Sequence, residues 1–236
     1  ENGAIELTFP EVNVRVTNWE ILIRPNERTG SRDLVREAML LAGEAVARYA
    51  LEHDIPVPFT VQDPPAVDEP DELQPETLSE MYAVRRLLNP GRQVSEPGPH
   101  SGLGLDLYVQ VTSPLRRYHD MLTHQQLRAY LRGEPLLEPE EVMARTSEAR
   151  ERVRSVRTAE RLSINHWLMV HLRRHPDWRG QALVLDQRGT RTALILPDLA
   201  LETEIYGRND FYPDAEVEIA LTSVDLPAPA ATFRFV

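Results

Sequence analysis

Ser113, Arg116 and Arg117 are the residues whose types and spacing point most directly to chemistry, and the chemistry is phosphate binding. They lie in the stretch Gly104 to Asp120, GLDLYVQVTSPLRRYHD. Leu105, Leu107, Val109 and Val111 alternate with Asp106, Tyr108 and Gln110, the two-residue period of a half-buried strand. Ser113 then stands where an N-cap belongs and Pro114 at a first helical position. Leu115, Tyr118, Met121 and Leu122 carry a helical period toward a stop at Gly133. This register predicts Arg116 and Arg117 in the first helical turn, where cations oppose the helix dipole at a cost of about 0.3 to 1 kcal/mol each. An anion, by contrast, would be held there by free backbone amides and two guanidinium forks. A solvated arginine pair on an ordinary helix start fits the same local pattern.

Glu160 is the second residue of interest. Pro139 to about Arg174 reads as one helix of some 36 residues, about 54 Å long at the usual rise. Its apolar stripe runs Ala149, Val153, Val156, Glu160, Ile164, Trp167 and His171, so a carboxylate stands where the period calls for an apolar side chain. A carboxylate facing a core needs a partner, and Arg116 is the expected one. The alternative is a surface glutamate pairing with Arg157 or Arg161. Arg150, Arg154, Arg157 and Arg161 line one helix face, either toward an anionic ligand or toward solvent, and Glu148 with Arg152 makes an ordinary i,i+4 pair. His124 is expected as a hydrogen-bonded core histidine.

The elements that position these residues can be read around them. A strand is expected soon after Glu1, then strands over Val12 to Val16 and Trp19 to Arg24. A helix follows from Ser31 to roughly Glu52, with Leu34, Met39, Leu41, Ala42, Ala45, Val46 and Tyr49 as its apolar face, ended by His53-Asp54-Ile55-Pro56. Asp63 to Pro75 reads as an exposed loop. Thr77-Leu78-Ser79-Glu80 is a capping box for a short helix that ends by Asn89-Pro90-Gly91. After Pro176 the pattern changes to strands, at Ala182 to Leu185, Thr192 to Leu196 and Val217 to Val224, with turns at Arg188-Gly189 and Pro213-Asp214. Five short strands in about 55 residues predict a small barrel. Its aromatics Tyr206, Phe211, Tyr212, Phe233 and Phe235 must divide between core and base stacking. The expected fold is therefore α+β: mixed helices and sheet over residues 1–176, then a small all-β barrel over residues 177–236.

Composition narrows the function classes. With 236 residues and 42% hydrophobic content, the chain can bury one sizeable core or two smaller ones. It has no cysteine, which excludes disulfides and thiolate metal sites. No apolar run approaches the roughly 20 residues of a membrane-spanning helix, so a cytoplasmic protein without a membrane partner is expected. The net charge of −11 is unevenly spread: residues 113–180 carry 13 arginines against nine acidic residues. A positive channel within an otherwise acidic protein would give this asymmetry, as would a single charged helix.

Glu96-Pro97-Gly98-Pro99-His100, Gly102-Leu103-Gly104-Leu105, Tyr108, Thr112-Ser113-Pro114-Leu115-Arg116-Arg117-Tyr118 and Asp120 closely resemble the signature of the ribonuclease II family. Gly3-Ala4-Ile5, Pro10-Glu11 and Ser31 to Ala47 resemble the middle of that family's catalytic domain, and Arg157-Thr158-Ala159-Glu160-Arg161 its arginine and glutamate pattern near the scissile phosphate. The resemblance spans nearly the whole chain, with the final strands matching the family's terminal oligonucleotide-binding barrel.

The resemblance implies a metal-dependent hydrolase that degrades single-stranded RNA from its 3′ end to nucleoside monophosphates. Arg116 and Glu160 would be its catalytic residues here, and Ser113, Arg117, Tyr118 and Arg157 its RNA-binding ones. The family's magnesium is held by aspartates in a D-x-x-x-x-x-D-x-D-D pattern that precedes the part seen here. That pattern is absent from this chain. The nearest acidic cluster, Asp63, Asp68, Glu69, Asp71 and Glu72, has the wrong spacing and reads as surface loop. No metal ligand is therefore assigned in this chain. The expectation is a C-terminal half that is inactive alone, partnered by its N-terminal half and by single-stranded RNA. Two rivals stand beside it: a non-catalytic RNA-binding relative on the same scaffold, and a helical protein whose arginine stripe meets an acidic partner.

Overall fold

The computed structural model describes residues 3–67, 73–207 and 210–236. In chain order its regular elements are β1 (Val12–Thr17), β2 (Glu20–Pro25), α1 (Gly30–Glu52), β3 (Phe59–Val61), α2 (Leu78–Arg85), β4 (Arg92–Val94), α3 (Tyr118–Arg132), α4 (Pro139–Arg174), β5 (Arg179–Arg188), β6 (Arg191–Leu196), β7 (Leu201–Tyr206), β8 (Glu216–Asp225) and β9 (Ala230–Phe235). They form two compact units. One takes the described residues of 1–6, 28–74 and 87–155, and the other those of 7–27, 75–86 and 156–236. The fold is α+β, and it includes a five-stranded antiparallel, OB-like barrel near the C-terminus.

In the first unit, α1 buries Gly43, Ala47 and Ala50 rather than the large residues of its expected apolar face. Ala47 and Ala50 pack with Ile55, Val57, Phe59 and Val109, while Leu34 and Leu41 are exposed. Close approach decides this. A Cβ on Gly43 would lie 2.3 Å from the Tyr108 ring and 2.7 Å from the Val109 carbonyl oxygen, so only a small-residue stripe can face that segment. β3 pairs antiparallel with β4. The Thr60 amide donates to the Tyr108 carbonyl at 2.8 Å.

Residues 105–111 do not form the regular strand that their alternation predicts. They make isolated bridges, Leu105 with His100 and Val109 with Phe59, and Tyr108 is buried together with Leu105, Val109 and Val111. The stretch is covered on both sides, so apolar alternation here is not the signature of a half-buried strand. No strand forms among residues 3–11 either.

In the second unit the sheet order is β7-β6-β5-β8-β9. Leu168, Met169 and Leu172 of α4 pack into its core with Val184, Leu194, Ile219 and Phe233, and Val14 and Ile23 of the β1–β2 hairpin close over it. On the other face Leu78 and Tyr82 of α2, with Phe9, cover Leu185, Ala193 and Ile195. The expected capping box is present: Thr77 Oγ1 accepts from the Glu80 amide, and Glu80 Oε2 from the Thr77 amide. Of the barrel aromatics, Phe233 is core and Phe211 and Phe235 are half-buried against it, while Tyr206 and Tyr212 are exposed. Among the described residues no helix is long and apolar enough to cross a membrane.

Candidate functional site

The segment Thr112 to Asp120 folds differently from its sequence reading, and the difference reshapes the site. The helix does not begin at Pro114. Ser113 to Arg117 form a tight turn in which the Ser113 carbonyl accepts from the amides of Arg116 (3.2 Å) and Arg117 (3.0 Å). Arg117 is then extended, with φ −121° and ψ 117°, and α3 starts at Tyr118. Proline suits the second position of a turn as well as a first helical position, and serine the position before it. The sequence therefore supports both outcomes.

Asp120 decides between them. Its carboxylate is fully buried in the first turn of α3. Oδ2 accepts from the Ser113 amide at 2.7 Å and from Arg117 Nη2 and Nε at 2.7 and 3.0 Å. A side chain that holds backbone this way competes with helix formation, and it fixes Arg117 in the extended conformation. An anion in a first turn also suits the helix dipole. The expected conflict of two cations with that dipole is thus removed: Arg117 is paired with Asp120, and Arg116 precedes the helix.

Two more bonds tie the approach segment to α3. Gln110 Oε1 lies 2.6 Å from His119 Nε2, and His124 Nε2 donates to the Val111 carbonyl at 2.8 Å. His124 is the hydrogen-bonded core histidine that was expected. Arg117 Nη2 also reaches Thr112 Oγ1 at 3.3 Å. Against this network Arg116 is exposed and has no ion-pair partner among the described residues. Leu115 beside it is fully exposed. Tyr118 is half-buried and lies against Arg145 of α4.

Burial pushes the Tyr108 phenol up, and its ring meets His100 edge-on at 5.9 Å. Tyr108 and the first turns of α1 line an open groove of about 430 Å³ that also includes Arg32 and Arg36. Arg36 bonds Glu6 at 2.8 Å and holds its carboxyl below the usual carboxylate range, against the upward push of burial. Arg36, one of the groove's two cations, is therefore already matched.

Glu160 sits in the second unit and is exposed. The stripe that it interrupts is not a core stripe, because Val156 is 66% exposed and Ile164 41%. The expectation that Glu160 faces inward is overturned: the helical period continues through a stretch whose side chains are exposed. Neither Arg157 nor Arg161 forms an ion pair with it among the described residues. Arg150, Arg154, Arg157 and Arg161 are all exposed, and Arg152 pairs with Glu148 at 2.6 Å as expected.

In the acidic loop Asp63 bonds Arg92 at 3.0 Å, while Asp68, Glu69, Asp71 and Glu72 lie outside the described residues. Among the described residues no group of three or more histidine, aspartate or glutamate side chains is placed to hold a metal ion. The described residues bring together no donor set for a magnesium centre. Asp120 stood among the signature residues, but sequence reasoning missed its role in the turn. Its signal was present, an aspartate three positions after Arg117 on a helix start.

Fold and sequence together define a class. Residues 1–133 match the RNB domain, and residues 178–236 match the RNase II-type exonuclease C-terminal S1 domain. The chain belongs to the RNB, or ribonuclease II, family. It is 35% identical over 240 residues to an uncharacterised ribonuclease from Synechocystis sp., a match covering 98% of this chain and 36% of that protein. The chain thus spans about a third of that relative's length. Its fold is similar to RNase R from Mycoplasma genitalium, solved in complex with ribose-methylated single-stranded RNA, with a TM-score of 0.81 and 15% identity over 100% of this chain and 46% of that one. It is also similar to yeast Ssd1, a pseudonuclease, with a TM-score of 0.60 and 17% identity over 84% of this chain and 30% of that one.

Proposed function

We propose that this chain is part of a hydrolytic, metal-dependent 3′-to-5′ exoribonuclease that degrades single-stranded RNA to nucleoside monophosphates in the cytoplasm. The observation that carries the reading is Arg116: an exposed guanidinium with no ion-pair partner among the described residues, on a turn fixed from below by Asp120, within the part matched to the RNB domain. A planar fork held this way can grip two phosphate oxygens and stabilise charge that grows on them.

In this reading Arg116 binds and polarises the scissile phosphate and Ser113 helps to place the RNA backbone. Tyr118 and Arg157 contact the strand. Glu160 shapes the site near the terminal nucleotides, a role that its solvent exposure leaves open to an incoming chain. Arg117 acts from within the turn. Residues 177–236 serve as the RNA-binding barrel, with Tyr206 and Tyr212 as its exposed aromatic surfaces. Magnesium is proposed as the cofactor, held by aspartates of an N-terminal half that precedes this chain and partners it. The steps assigned to the residues here are binding and orientation.

Labelled single-stranded RNA and magnesium test the reading. The whole protein should release mononucleotides processively from the 3′ end. This chain by itself should neither degrade RNA nor bind magnesium at a defined site, and adding the N-terminal half should restore activity if the two associate. Mononucleotide release by the chain alone would overturn the division of labour. The second reading, a non-catalytic RNA-binding protein, is favoured by the likeness to a pseudonuclease. It predicts RNA binding by the whole protein without cleavage.

A further inference from the structure

We propose that Asp120 is a positioning residue that sets Arg116 and Arg117 to different tasks: it consumes Arg117 inside the turn and so presents Arg116 alone to a phosphate. The inference rests on the exoribonuclease reading for its chemistry, but its geometry stands on the structure of the turn.

Two adjacent arginines on a free turn would be equivalent ligands for an anion, each able to swing toward it. Here they are not equivalent. Arg117 is mostly covered, with 17% of its side chain exposed, and two of its nitrogens bond Asp120 Oδ2, with Nη2 also on Thr112 Oγ1. The same oxygen takes the Ser113 amide. One buried carboxylate therefore fixes both ends of the five-residue turn, at Ser113 and at Arg117, and Arg116 lies between the two fixed points. The guanidinium of Arg116 still rotates, but the backbone that carries it does not.

The neighbours of Asp120 support this task. Oδ1 has no hydrogen-bond partner among the described residues, and His119 Nε2 stands 3.5 Å from it while lying 2.6 Å from Gln110. The carboxylate's close bonds all go to the turn, on Oδ2. Loss of its charge would leave the Arg117 guanidinium covered and unpaired, which favours its release toward solvent. The site would then hold two cations on a loosened turn in place of one on a fixed turn. Affinity for RNA would survive, because positive charge at the surface is kept or increased. Alignment would not, and misplacement by about 1 Å can lower turnover on the order of a hundredfold.

The test compares Asp120→Asn with wild type in the whole protein. The single-turnover rate at saturating RNA should fall by about tenfold to a hundredfold, with Kd for RNA within about threefold of wild type or tighter. In an Arg116→Ala background the same substitution should have almost no further effect on rate, because the group that Asp120 positions is gone. A role in folding alone would lower the rate equally in both backgrounds and would overturn the proposal.

Arginine modification by phenylglyoxal, mapped by peptide mass spectrometry, reads the geometry without any RNA. Arg116 should react and Arg117 be protected in wild type, and Arg117 should become reactive in Asp120→Asn. Equal reactivity of the two arginines in wild type would overturn the proposal whatever the activity, and needs no variant to fold. The expected protection pattern in a protein that binds RNA but never cleaves it would instead sink the exoribonuclease reading and leave the division between the two arginines standing.

Discussion

Asp214 closes the start of helix α2 from 135 residues away: its Oδ2 accepts from the Ser79 hydroxyl at 2.5 Å and its Oδ1 from the Ser79 amide at 2.9 Å. Ser79 is the second residue of a helix whose first capping donors are already met by Thr77 and Glu80, so Asp214 satisfies an amide that would otherwise be orphaned. Asp214 itself has φ +62°, a conformation that asparagine tolerates and alanine does not. Asp214→Asn should therefore cost about 1 kcal/mol, and Asp214→Ala roughly 2 to 3 kcal/mol, from a lost charge-assisted bond and added backbone strain. Denaturant unfolding of the two variants checks the order. Equal costs would mean that the backbone conformation plays no part.

Much of this architecture was legible in the sequence, for identifiable reasons. Helix α4 was readable over its full length because Pro139 opens it and Pro176 follows it. The capping box at Thr77 and Glu80 and the stop at Gly133, where φ is +66°, are local chemistry that tertiary context rarely changes. The start of α3 was not legible, because Ser113-Pro114 serves a turn and a helix start equally and a side chain seven residues on decides. The buried face of α1 was missed for a different reason. Counting large apolar residues finds Leu34 and Leu41, whereas close backbone packing selects Gly43, Ala47 and Ala50. Arg116 and Arg117 were read together as cations of a first helical turn, and the distinction between them is invisible until Asp120 is seen holding one and not the other. The inward-facing Glu160 failed because periodicity reports a stripe and not what covers it.

Gly43 gives a sharp test of the α1 packing. Alanine at this position would force the Tyr108 ring and the Val109 carbonyl to move, since the added Cβ would lie well inside contact distance of both. Overpacking of this kind costs about 1 to 3 kcal/mol. With backbone as well as a ring in the way, it should exceed the roughly 1 kcal/mol that alanine's better helix propensity would return. Thermal unfolding of Gly43→Ala should show a clearly lowered Tm. An unchanged or raised Tm would mean that α1 does not approach this segment closely.

His100 makes stability depend on pH in a direction that can be stated. Burial holds its imidazole below the usual histidine range, partly offset by a backbone hydrogen bond, and Nδ1 is buried with no hydrogen-bond partner among the described residues. A folded-state pKa below the unfolded one means that the unfolded chain binds the proton first. The stability is thus present above about pH 6.5 and declines as pH falls from there toward the folded pKa. Half-buried His171, also lowered by burial and by its neighbours His175 and Arg174, adds in the same direction. Tm measured between pH 7.5 and 5 should fall, and His100→Gln should flatten part of the slope. A slope unaffected by that substitution would assign the effect elsewhere.

Arg116→Lys separates catalysis from binding in the whole protein. Lysine keeps the positive charge on the turn that Asp120 fixes, but replaces a planar fork by a single point that cannot take two phosphate oxygens at once. Long-range attraction and the remaining RNA contacts are retained, so affinity should change by only a few-fold. Charge that develops on the phosphate during cleavage, however, loses a preorganised pair of donors, and the loss of one such donor typically costs about 3 kcal/mol, or about a hundredfold in rate. Single-turnover kinetics at saturating RNA, with affinity measured separately, decide the matter. A normal rate with collapsed affinity would make Arg116 a binding residue only, and would move the phosphate chemistry away from this turn.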